Sequence, residues 1–333
     1  MASKEEAERV ELQGTTASES SKTVMITNLV VNILLGESMT KVWDMLEGLQ
    51  VIYHLPLFKV KSPGNVNAFN NFFSEVGGFD YVEVVDYTRY YLYFPETDAV
   101  TLNFQMAGYE SHFAISNLGF LFYIFAAHFV LAPFVLILHL LGKKFPKVRP
   151  VSDKAFHYLF WGGSIRLFME GYLDFCTFAL MNIKALDWET QLPAVTFSNY
   201  VAIFLVFLAC FLPVFVLVYY ICRMHVWHTE EFQERWGFIL EDLAIDRKDA
   251  KWVIILLPLS FLLRRLAFSL VLVFWYEFLW GQIAIMAMLS VAMIIFIQWF
   301  RPMDSKLMTN LETFNECIAL CAIYLMMSMS DAV

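Results

Sequence analysis

The chain has 333 residues, of which 59% are hydrophobic and 17% charged, where a soluble domain carries about 25% charged residues. Its 33 Phe, 16 Met and 9 Trp are more apolar surface than a soluble globule of this length can hide behind so few charges. The net charge of −9 gives a nucleic-acid partner no electrostatic support, and the composition as a whole points to a membrane protein.

The distribution of charge is more informative than its amount. No Asp, Glu, Lys or Arg occurs from Ser111 to Gly142, from Thr190 to Cys222, or from Phe278 to Phe300. Each stretch exceeds the roughly 20 apolar residues needed to cross a bilayer core. The expected fold is all-α, a polytopic transmembrane bundle of seven spans, or of six with one helix at the interface. The bilayer itself is the partner that composition implies.

In chain order, residues 1–23 read as a flexible polar tail and residues 24–333 as the transmembrane domain. Residues 24–53 open apolar, then carry Glu37, Lys41, Asp44 and Glu47. This segment either spans with a protein-facing polar stripe or lies flat at the interface. Residues 54–114 are expected to form an acidic outer cap, with three basic residues against seven acidic ones. The next spans are expected at 115–141, 157–183 and 197–222. A hydrophilic linker at 223–251 follows, with an amphipathic stretch from Phe232 to Leu243. The last spans are expected at 252–275, 281–300 and 311–330, with a tight turn at 276–280.

Orientation follows from Lys and Arg in short loops. Lys143, Lys144, Lys147, Arg149 and Lys154 face only Asp153 in the loop after the second span, which places that loop on the cytoplasmic side. Alternation then puts 54–114, 184–196 and 276–280 outside, and 223–251 and 301–310 inside. Trp252, Trp275, Tyr276, Trp280 and Trp299 fall at span ends, where an amphipathic ring is most stable. The five cysteines lie within or at the end of expected spans, which argues against a disulfide framework.

Ionisable residues inside a span are the first place to look for function, since each costs roughly 2.5–3.5 kcal/mol on insertion scales. Arg166, Glu170 and Asp174 recur at i, i+4 and i+8, which puts them on one helical face. They form either an ion-pair ladder between helices or the polar wall of a path. Arg264 and Arg265 lie about 18–20 Å along the fifth span, and Glu170 about 20 Å along the third, at 1.5 Å per residue. One of the two arginines is therefore expected to face Glu170 or Asp174. Glu316 lies nearer the cytoplasmic surface, where Arg301 or Lys306 would be its partner. Glu312 and Glu316, one turn apart, could bind a cation or simply favour the start of their helix. The pair His225 and His228 is a weak metal signal, with no third ligand fixed by spacing. Neither a cofactor-binding motif nor a G-x-S-x-G, H-E-x-x-H or P-loop sequence is present, so no enzymatic activity and no cofactor are expected.

Four stretches carry a family resemblance: Leu46–Phe58, Gly108–Phe122, Ser164–Phe175 and Arg301–Leu320. They resemble multi-pass membrane proteins abundant in ciliates, whose membrane region is similar to the TRP-like family of fungal membrane proteins. The most specific element is Arg301-Pro302 after one span with Asn315-Glu316 in the next. The resemblance implies transport or cation-channel activity, with an inorganic cation as the transported species. Members commonly carry a Cys-rich extracellular domain that has no counterpart in this sequence. That difference leaves open a second class of function, a non-conducting scaffold or the membrane part of a receptor-like protein.

Overall fold

The computed structural model describes residues 50, 54–58, 88, 90–95, 97, 100–106, 109, 111–145, 147–189, 192–240, 243–245 and 251–329. The expected first span, 24–53, lies outside the described residues except for Gln50. Ten α-helices are described: α1 Leu102–Met106, α2 Ala114–Lys144, α3 Arg149–His157, α4 Gly163–Glu170, α5 Tyr172–Lys184, α6 Pro193–Cys222, α7 Glu230–Trp236, α8 Lys251–Phe274, α9 Leu279–Phe300 and α10 Lys306–Met329. Among the described residues there is no strand longer than the single bridge between Leu243 and Met303.

Five helical stretches are long and apolar enough to cross a bilayer: Leu121–Lys144, Pro193–Cys222, Lys251–Phe274, Leu279–Phe300 and Lys306–Ser328. Their outer faces remain apolar and exposed, as with Phe207 at 65% and Ile295 at 58%. Water would not tolerate such surfaces on five helices at once, whereas lipid covers them without penalty. Trp252, Trp275, Trp280 and Trp299 are all exposed at or next to helix ends, as the interfacial reading requires.

The expected third span is not one α-helix. The chain leaves α3 through a π-helical turn, Tyr158–Gly162, and the Ser164 hydroxyl donates to the Leu159 carbonyl five residues back. A second interruption falls at Gly171, between α4 and α5. There a Cβ would come within 2.9 Å of a Leu121 methyl and 2.8 Å of the Phe175 ring, so a larger residue would push one of these side chains aside. The i→i−4 bonds from Gly171 to Leu167 and from Phe175 to Gly171 survive. Glu170 and Asp174 therefore stay on neighbouring faces despite the break. In α2, Gly119 adopts φ 49°, a conformation that a residue with a Cβ enters at a cost.

Helix α5 is the axis of the bundle. Every residue from Tyr172 to Asn182 is buried, and α2, α6 and α8 pack around it. One end of the bundle gathers the start of α2, the end of α5 and the start of α6. There the Asn182 amide oxygen accepts from the Ala114 N–H at 2.9 Å and from Ser198 at 2.6 Å. The Asn182 amide group donates to Asn199 at 2.8 Å, and Lys184 donates to the Val273 carbonyl at 2.7 Å. The opposite end carries Lys143, Lys144, Lys147, Arg149 and Lys154, all exposed. There Tyr220 donates to the Trp236 carbonyl at 2.7 Å, docking α7 on the end of α6. The run from α3 to α5 thus passes from the basic end to the other.

The amphipathic stretch at 232–243 is shorter than expected as a helix: α7 stops at Trp236 and a 3-10 turn covers Gly237–Leu240. Its apolar side is nonetheless buried through Phe232, Ile239 and Leu240. The segment expected as an outer cap also starts differently. His54, Leu55, Leu57 and Phe58 are buried, and Phe58 packs edge-on against Phe268 of α8 at 5.3 Å. Helix α1 closes over them, with Asn103 donating to the Phe58 carbonyl. Leu55, Leu57 and Phe58 gain more from apolar contact than a loop position would provide, and this draws the chain into the bundle.

Candidate functional site

Two short polar residue types on an apolar helix can satisfy one another, but long charged side chains need partners from other helices. The buried charged side chains among the described residues are Glu170, Asp174, Arg264, Arg265 and Glu316, with His54 beside them. They lie on four elements: the 50–58 segment, the α4–α5 run, α8 and α10.

Arg264 and Glu316 form a direct ion pair between Nη1 and Oε1, at 9% and 4% exposure. This corrects the expectation that Glu316 would pair with Arg301 or Lys306. Those two are exposed at the basic end, and Arg301 is the left-handed cap of α9 at φ 48°. The Cα depths of Arg264 and Glu316 differ by about 5 Å along their helices at 1.5 Å per residue. Side chains on a helix lean toward its N-terminus. Helix α8 starts at the basic end, so the long Arg264 side chain closes that gap.

Arg265 is 1% exposed. Its Nη1 donates to the Met169 carbonyl at 3.1 Å, and its guanidinium lies over the Phe261 ring at 3.9 Å. Arg265 thus joins α8 to α4 at the backbone carbonyl of the residue before Glu170. A guanidinium with five donors suits such a site, since it can serve several acceptors at once.

Asp174 meets His54, with Nε2 3.2 Å from Oδ1. His54 Nδ1 is 2.8 Å from the Gln50 carbonyl, and the Gln50 side chain donates to the Glu170 carbonyl at 2.7 Å. Gln50 and His54 thus clamp both ends of the break at Gly171. Sequence reasoning missed them because residue 54 was placed at the start of an outer loop. Their i, i+4 spacing within an apolar run that ends at Pro56 is the signal that could have found them.

Uncharged polar groups also join α5 to its neighbours. Thr177 and Ser269 of α8 share a hydrogen bond at 2.8 Å, and Tyr172 donates to the Ala209 carbonyl of α6 at 2.8 Å. Glu312 is half-buried one turn before Glu316. The side chain of Arg166 lies outside the described set. His128 bonds its own helix, with Nδ1 2.8 Å from the Ile124 carbonyl. His139 instead reaches Asp153 of α3 at 3.0 Å and stacks on Phe156.

His225 and His228 are exposed in the turn after α6. Among the described residues no three His, Cys, Asp or Glu groups gather in a metal-binding arrangement. The five cysteines are free, with Cys176 buried in the core and the others exposed. No family model matches the chain, and no curated protein or solved structure is similar to it.

Proposed function

We propose that the chain is an integral membrane protein that moves a small inorganic cation along the seam between α5 and α8. The observation that carries this reading is the set of buried ionisable side chains: Arg264, Arg265 and Glu316 midway along apolar helices, and Glu170 and Asp174 at the junction of α4 and α5. Such groups are expensive in a bilayer and are held where they face protein or a hydrated path. Glu170 and Asp174 offer carboxylate oxygens, the ligands that hard cations take. The resemblance to TRP-like membrane proteins points the same way.

In this reading the α3–α5 run is a sixth span and the basic end is cytoplasmic. The run connects the two ends of the bundle, and alternation of the five apolar helices needs a crossing at that place. Only four residues join α8 to α9, too few for a re-entrant pore loop between them. A path would therefore run within the bundle of one chain.

A second reading, a non-conducting scaffold, is favoured by the direct pairing of Arg264 with Glu316. A flux assay separates the two. The purified protein in liposomes is expected to carry Na⁺ or K⁺ above the leak of empty vesicles, with at least a tenfold loss in Glu170→Gln. Absence of flux for wild type at every voltage and cation would remove the transport reading and leave the scaffold.

A further inference from the structure

We propose that His54 and Asp174 form a proton-binding site in the core of the bundle, one proton being held either by the imidazole or by the carboxylate.

The argument starts from the other nitrogen. His54 Nδ1 lies 2.8 Å from the Gln50 backbone carbonyl. A carbonyl oxygen only accepts, so Nδ1 must carry a hydrogen. In a neutral ring that leaves Nε2 as a bare lone pair. Nε2 is 3.2 Å from Oδ1 of Asp174, which as a carboxylate also presents only lone pairs. The contact lies off the ring N–H axis, so it is an electrostatic contact rather than an aligned hydrogen bond. Two acceptors at that distance repel, and with the side chains at 0% and 7% exposure bulk water does not screen them. A proton on either atom turns the contact attractive, as an imidazolium with a carboxylate or as an imidazole with a carboxylic acid.

The ring is held in this orientation. Phe268 packs on it edge-on at 6.1 Å, and Gln50 is itself fixed to the Glu170 carbonyl. The ionisable groups on the surrounding elements are Glu170 on α4, Tyr172 and Cys176 on α5, Cys210 on α6, and Arg264 and Arg265 on α8, with Glu316 on α10 behind Arg264. Carboxylates among these favour an added proton and the two guanidiniums oppose it. The Nε2–Oδ1 contact at 3.2 Å turns from repulsive to attractive on protonation, and this favours the added proton. Binding is uptake of one proton from water, with no other bond made or broken. It raises the charge of the core by one and fastens the 50–58 segment to α5. The site holds its proton whether or not the bundle conducts cations.

The test uses the full chain in lipid nanodiscs at neutral pH. Ring-nitrogen NMR of histidine-labelled protein and infrared spectroscopy of the carboxylic C=O stretch are recorded together. His54→Gln and Asp174→Asn assign the signals. If a variant fails to fold, sequential correlations through Tyr53–His54 and Leu173–Asp174 assign them in wild type. The expected result is one of two signatures: both ring nitrogens of His54 protonated, or a carboxylic acid band that disappears in Asp174→Asn. A singly protonated His54 beside an ionised Asp174 would overturn the proposal.

Discussion

The Arg264–Glu316 pair offers the sharpest test of how the bundle is held, because its two halves fail differently. Both residues are under a tenth exposed and sit on different helices. Glu316 Oε2 has no hydrogen-bond partner, so Oε1 carries the whole interaction with Arg264. Removing one member of a buried pair typically costs about 3–5 kcal/mol, because the other charge is left without compensation. In lipid the value falls toward the lower end, since the unfolded chain also finds partners there.

Arg264→Met leaves a carboxyl group that can escape by taking a proton. At pH 7 that costs about 3.7 kcal/mol for a glutamate of ordinary value near ~4.3, and at pH 5 about 1 kcal/mol. The sign follows from linkage. The folded variant then binds more protons than the unfolded one, so its stability rises as pH falls. Glu316→Leu leaves a guanidinium that cannot be neutralised in this way, and its deficit should not shrink over the same interval. The double variant Arg264→Met with Glu316→Leu removes both charges and should return to within about 1 kcal/mol of wild type. The assay is reversible unfolding in mixed micelles at pH 5 and pH 7. Additive single effects in the double variant, or equal pH responses of the two single variants, would refute the reasoning.

Two other expectations follow from the end of the bundle opposite the basic cluster. Asn182→Leu keeps the volume but strips the acceptor from Ala114 N–H and Ser198 and the donor from Asn199. With each orphaned group costing about 1–3 kcal/mol, a loss of at least ~2 kcal/mol is expected in the same assay, and an unchanged unfolding curve would contradict it. Burial lowers the Lys184 ammonium below its ordinary value, with Glu277 acting in the other direction. Lys184 should therefore lose its proton at lower pH than an ordinary lysine near ~10.4. Amine acylation mapped by mass spectrometry across alkaline pH checks this, and a midpoint at or above the ordinary value would count against it.

Hydropathy made the long apolar helices legible because lipid exposure leaves a composition signal over 20 residues or more. Helix α6 is the clearest case, with no charged residue in Pro193–Cys222. The third expected span shows where that signal ends. Its interruptions at 158–162 and Gly171 are not marked by hydropathy, and at Gly171 the close approach of Leu121 from α2 is a tertiary contact that no local pattern encodes. The charged site was legible in its members but not in its pairing. Depth along the axis identified Glu170, Asp174, Arg264 and Arg265 as core residues, while the direction in which a long side chain leans decided who met whom. Gln50 and His54 were hidden by a boundary. Pro56 looked like the start of a loop, yet Phe58 two residues on packs against Phe268.

The distance along the chain between Arg264 and Glu316, 52 residues, has a consequence for biosynthesis. At about 5–20 residues per second, α8 emerges roughly 3–10 s before its counter-charge exists. During that interval the insertion machinery must lodge a helix bearing two guanidiniums with nothing yet in place to neutralise Arg264. A nascent chain stalled before α10 would keep that unmatched charge, a mark by which quality control can tell an unfinished product from a finished one.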